Sequence, residues 1–96
     1  MILVIVEFSV AAKNIPNTVA ALEIDAEAAR TMKGCAAFQS LSTQGNPDKL
    51  VLLEEWEDME SFEAYKASDA FAAAMATIKP VMVGAPVSRA FEATLA

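Results

Sequence analysis

The chain has 96 residues, 55% of them apolar, and a net charge of −6 from seven basic and thirteen acidic side chains. That length suits one domain, 1–96, and the apolar share exceeds the ~45–50% of ordinary soluble domains, which excludes a disordered chain. The basic residues Lys13, Arg30, Lys33, Lys49, Lys66, Lys79 and Arg89 are scattered singly, so no basic stripe exists for nucleic acid phosphates or an anionic membrane.

No histidine is present and Cys35 is the only cysteine. These counts exclude a Ser-His-Asp triad, a His-ligated iron, a His-carboxylate zinc site and an internal disulfide. The opening MILVIVEF is apolar but short, without a basic n-region or a small-residue cleavage site, and reads as a strand. No stretch approaches the ~20 apolar residues of a membrane span. A cytoplasmic location is expected, and the free thiol agrees with it.

In chain order, Ile2 to Val10 is a strand with apolar residues on both faces: Ile2, Val4, Val6, Phe8 and Val10 on one, Leu3 and Ile5 on the other. Asn14-Ile15-Pro16-Asn17-Thr18 is a turn and helix start, with Asn and Thr as cap candidates. Ile15, Val19, Leu22, Ala26, Ala29 and Met32 then fall on one helical face opposite Glu23, Glu27 and Arg30. Gly34 is expected as the C′ residue. Cys35 to Thr43 is a strand with Phe38 and Leu41 on opposite faces. The turn signal Gln44-Gly45-Asn46-Pro47-Asp48 joins it to a second strand, Lys49 to Glu57, as a hairpin.

Leu50, Leu52, Glu54 and Trp56 share one face of that strand. Asp58 is an N-cap for a short helix carrying Met59, Phe62 and Tyr65. Ser68 or Asp69 caps the next, with Phe71, Met75 and Ile78 along one stripe. Pro80, Gly84 and Pro86 are expected to break the chain before a last strand, where Val87, Phe91 and Leu95 share a face with Arg89 and Ala93. The order β-α-β-β-α-β predicts an α+β, ferredoxin-like fold with a four-stranded antiparallel sheet and helices on one face. The doubly apolar first strand predicts that a second copy covers the other face, giving a homodimer by sheet-to-sheet packing, a dimeric α/β barrel.

"LLEEW" closing a strand, an acid-capped helix with Phe62, and "YKASDAF" together resemble the antibiotic biosynthesis monooxygenase family, as does "MKGCAAF" from Met32 to Phe38. Glu54, Trp56, Ser68 and Phe71 match the family pattern in place. The departures are Tyr65 where many members carry a histidine, and Leu52 and Phe62 where members that oxidise polyketide aromatics carry an asparagine and a tyrosine. Without a histidine, or an asparagine on the first strand, the chain also lacks what haem-degrading relatives need. The resemblance implies a cofactor-independent monooxygenase acting on a small aromatic or quinol-like substrate, with the substrate supplying the electrons and neither metal nor flavin required. The missing residues imply an alternative, a non-catalytic small-molecule-binding or accessory dimer.

The candidate catalytic residues are Tyr65, as a hydrogen-bond donor, and Trp56, beside a bound ring. The bland readings stay open: Trp56 as a core anchor whose indole N–H finds one acceptor, and Tyr65 as a half-buried side chain with its hydroxyl in water. Leu52, Glu54, Phe62, Phe71 and Met75 are the candidate ligand-binding residues, with the last two also core by their helical spacing. Glu54, Glu55 and Glu57 lack a cation-loop motif, and no metal site is expected. A solvated edge or a dimer-interface ion pair, with Arg89 as partner, is the reading for these acids. Cys35 is expected to be small, buried and inert.

Overall fold

The computed structural model describes residues 1–96. Its elements are β1 (Ile2–Val10), a 3₁₀ turn (Ala12–Asn14), α1 (Ile15–Arg30), β2 (Cys35–Ser42), β3 (Lys49–Trp56), α2 (Met59–Lys66), α3 (Asp69–Ile78) and β4 (Met82–Glu92). The strands pair antiparallel in the order β2-β3-β1-β4. This is the expected α+β ferredoxin-like arrangement. β1 lies inside the sheet, between β3 and β4, with one apolar face toward the helices and the other toward the uncovered side.

Alternation decides which side chains meet the helices. Ile2, Val4, Phe8 and Val10 of β1, Phe38 of β2, and Leu50, Leu52, Glu54 and Trp56 of β3 are buried on one face. From α1, Leu22, Ala26 and Ala29 complete this core, joined by Thr18. Phe62 and Tyr65 come from α2, and Ala74 and Ile78 from α3. Thr77 Oγ1 donates to Asp25 Oδ2 at 2.7 Å, tying α3 to α1.

The opposite face carries no helix. Register places Ile5 between Leu53 and Arg89, and Leu3 between Glu55 and Phe91. Leu3, Ile5, Val51 and Leu53 are half-buried there, while Leu41, Val87 and Phe91 are exposed. At its centre Glu7 receives Lys49 at 3.3 Å and Arg89 at 3.6 Å. Arg89 therefore pairs with Glu7 and not with Glu55 or Glu57.

Local signals succeed where the backbone alone decides. Asp58 accepts from Ser61 N at 2.8 Å and Ser68 Oγ from Phe71 N at 3.2 Å, so both short helices are capped as expected. Asn14 makes no side-chain cap bond, because it closes the 3₁₀ turn and is already in a helical conformation. α1 ends at Arg30 with Thr31 as its C-cap, so Gly34 is not its C′ residue. Pro80, Gly84 and Pro86 do not delay the last strand until Val87. β4 starts at Met82 and runs through Gly84 and Pro86, beside a register shift opposite Glu7 and Ser9. An edge strand tolerates both residues, since a bulge and an outward-facing backbone ask for no ladder donor there. Leu95 lies beyond the end of β4.

Gly34 has a different task. At φ +83° it turns the chain into β2, and its carbonyl accepts from Glu57 N at 2.8 Å. A Cβ at Gly34 would run into the Ser61 side chain, whereas one at Gly45, φ +81°, would meet nothing. The left-handed conformation alone costs an alanine about 1–2 kcal/mol. Gly45→Ala should lose about that much in urea unfolding, and Gly34→Ala about 1–2 kcal/mol more. Equal losses would mean that the Gly34–Ser61 contact carries no weight.

Candidate functional site

Trp56 closes β3 and is fully buried. Its indole Nε1 donates to Glu54 Oε1 at 3.0 Å, two residues back on the same face. Tyr65 stacks on the indole, with ring centroids 4.9 Å apart and planes inclined at 25°. Phe38 and Phe71 meet Tyr65 edge-on at 5.6 and 5.5 Å, and Phe62 lies tilted against Trp56 at 6.5 Å. Offset and edge-on pairs of this kind add about 0.5–1.5 kcal/mol each beyond their buried area.

The sequence places these rings together for simple reasons. Period two puts Glu54 and Trp56 on the helix side of β3. The Asp58 cap starts α2 straight after the strand, and three-residue spacing turns Phe62 and Tyr65 back onto it. The Ser68 cap then starts α3, whose first turn brings Phe71 to the outer edge of Tyr65.

Two titratable groups lie in this cluster, and burial shifts both. Glu54 is 3% exposed among apolar neighbours. Burial pushes its carboxyl up to about 7, against the pull of the Trp56 hydrogen bond. Tyr65 is also 3% exposed. Burial first, then the charges of Glu54, Asp25 and Cys35, raises its pKa above the ordinary phenol value. Tyr65 is therefore a neutral hydroxyl that can donate a hydrogen bond, whereas Glu54 is a carboxyl that exchanges its proton near neutrality. Cys35 stands half-buried at the edge of the cluster, opposite Trp56 in the β2–β3 register. Burial, and then the charge of Glu54, raise its thiol pKa, the opposite of an activated nucleophile.

The expected site residues divide into two groups. Trp56, Tyr65, Leu52, Glu54 and Phe62 are packed in the core and line no cavity. Phe71 and Met75 line an apolar cavity of about 190 Å³ between α3, β1 and β4, together with Val6, Phe8, Ile78 and Met82. Phe71 belongs to both, with one side on Tyr65 and the other on the cavity. Glu54 is a correction to the surface reading of the acids, because a carboxylate at the solvated edge could not be 3% exposed. The signal was its place on the Leu50–Leu52–Trp56 face. Cys35 is half-buried, not fully buried, because β2 is an edge strand. The expected acceptor for the indole N–H is Glu54 itself.

The Glu54 proton is linked to folding. The folded chain holds it up to about 7, against an unfolded value of 4.5. Stability from this group is full below pH 4.5 and is lost as pH rises to about 7, a swing of about 3 kcal/mol. Gln accepts the indole bond without ionising. Glu54→Gln should therefore gain on the parent chain by up to about 3 kcal/mol between urea titrations at pH 4.5 and pH 8. An identical pH dependence in the two proteins would show that Glu54 ionises without cost.

The sequence profile of the antibiotic biosynthesis monooxygenase family matches residues 1–77. No curated protein matches by sequence. Among solved structures, a proposed antibiotic biosynthesis monooxygenase of Nitrosomonas europaea superposes with a TM-score of 0.91 at 19% identity, covering 99% of this chain and 100% of its own. One of Caulobacter crescentus gives 0.91 at 23% identity, covering 98% and 90%. A Bacteroides thetaiotaomicron protein of unknown function gives 0.85 at 19% identity, covering 94% of each chain. At these identities the structures share the fold, and the profile match carries the assignment: the chain belongs to the antibiotic biosynthesis monooxygenase family.

Proposed function

We propose that this chain binds a small aromatic or quinol-like molecule in the cavity between α3, β1 and β4 and oxidises it as a cofactor-independent monooxygenase. The observation that carries this reading is the position of Phe71, which forms a wall of the apolar cavity and rests edge-on against Tyr65. The cavity suits an apolar ring. Tyr65, a phenol that is neutral at working pH and that burial keeps so, is a hydrogen-bond donor for a developing oxyanion. Glu54, behind Trp56, can take and return a proton near neutral pH.

For a quinol the overall step balances without a cofactor. Hydroquinone and O₂ give hydroxybenzoquinone and water. One oxygen atom enters the ring, the other leaves as water, and the ring supplies the electrons. One observation favours a second reading, binding without turnover. Trp56 and Tyr65 line no cavity, so a ligand would have to displace Phe71 to touch them.

The uncovered sheet face supports a homodimer. Leu3, Ile5, Val51 and Leu53 at its centre, and Val87 and Phe91 at 53% and 44% exposure, form an apolar patch with no helix above it. Family members pair as dimers, and a twin sheet would cover this face.

Two measurements test these readings. Purified chain in aerated hydroquinone should consume oxygen faster than buffer, and Tyr65→Phe should slow it by about tenfold to a hundredfold while still binding the ring. Binding without oxygen uptake would instead establish the second reading. In sedimentation the chain should run as a dimer, and Leu53→Glu, which sets a charge in the middle of the patch, should run as a monomer. A parent chain that sediments as a monomer at micromolar strength would remove the dimer.

A further inference from the structure

From the composition of the cavity wall we infer that its ligand is a monocyclic aromatic acid, with the ring inside and its carboxylate at the mouth beside Lys79. This inference rests on the reading that the cavity receives a small aromatic. The volume sets the size. A cavity of about 150 Å³ holds benzene, so about 190 Å³ has room for one ring with one or two small substituents.

The wall sets the orientation. Its deep part is apolar, with Phe8 and Ile78 buried and Val6, Phe71, Met75 and Met82 half-buried. An ionised group there would lose its hydration with no partner. The remaining lining residues, Lys79, Pro86 and Ser88, are exposed and mark the mouth. Lys79, like Lys13 and Lys33, makes no ion pair, whereas Arg30, Lys49, Lys66 and Arg89 do, and of the three it alone lies at this cavity. A lysine that covers apolar surface with its stem and keeps its ammonium in water is suited to meet an anionic head at that rim.

Two effects keep the preference modest. The net charge of −6 repels anions at long range, and the carbonyl end of α3, which Lys79 caps, opposes an anion nearby. An exposed ion pair contributes about 0.2–1 kcal/mol, so the carboxylate should improve binding several-fold and no more.

The test is an anaerobic titration of protein labelled at its methionine methyl groups, using hydroquinone and 2,5-dihydroxybenzoate, two quinols that differ by one carboxylate. Both should shift the Met75 and Met82 resonances, which line the cavity, and leave Met1 and Met59 in place. In about 0.01 M salt the acid should bind about threefold to fivefold more tightly. That ratio should fall toward one in about 1 M salt, and in Lys79→Gln. No shift of Met75 and Met82 by either compound overturns the inference. So does equal affinity for the two, or a preference that survives Lys79→Gln. Because oxygen is absent, a chain that binds the acid but oxidises nothing leaves the inference standing and removes only the monooxygenase reading. Oxygen uptake with hydroquinone but no preference for the acid does the reverse.

Discussion

A carboxyl group buried on the helix side of the sheet, with one indole N–H holding it, is the constraint around which the ring cluster is organised. Glu54 could have been a leucine, given its neighbours Leu52 and Leu50 on the same face. As a carboxyl it asks for a donor, and Trp56 supplies one at 3.0 Å. That bond orients the indole plane, and the plane sets the place of Tyr65, stacked at 4.9 Å. Tyr65 in turn positions Phe38 and Phe71 at its edges. One polar contact thus orders four aromatic rings drawn from β2, β3, α2 and α3. A buried polar group that is satisfied specifies an arrangement more sharply than an apolar one, because the alternatives leave it unpaired.

The same arrangement makes the cluster chemically asymmetric. Burial acts on both ionisable groups in the direction of neutrality, yet from opposite sides of pH 7. The carboxyl rises to about 7 and becomes a group that changes charge in the working range. The phenol rises away from that range and stays protonated. One environment therefore yields a proton acceptor and a fixed donor, separated by an indole. The apolar cavity lies one ring further out, behind Phe71. Its oily lining and the ring cluster are neighbours, with the Phe71 side chain between them.

The uncovered sheet face is the second structural demand. β1 is apolar on both faces, and the helices cover one of them. The salt-bridged Glu7 in the middle of the apolar patch is compatible with cover by a twin, since its charge is already met by Lys49 and Arg89.

Most of the fold was legible along the chain because its determinants are local. Alternation in Ile2–Val10 and Lys49–Trp56, the Asp58 and Ser68 caps, and the Gly45 turn act over two to four residues. Trp56, Phe62 and Tyr65 were recognisable as one anchor for the same reason. The sequence by itself determined the element order, the core face of each strand and the family pattern at Glu54, Trp56, Ser68 and Phe71. Only the tertiary structure decided that Glu54 is sealed in, that Arg89 answers Glu7, that β4 begins at Met82, and that the cavity opens on the far side of Phe71. Each of these depends on which strand lies beside which and on what a helix covers. Such contacts join residues far apart in the chain, and no short-range pattern encodes them.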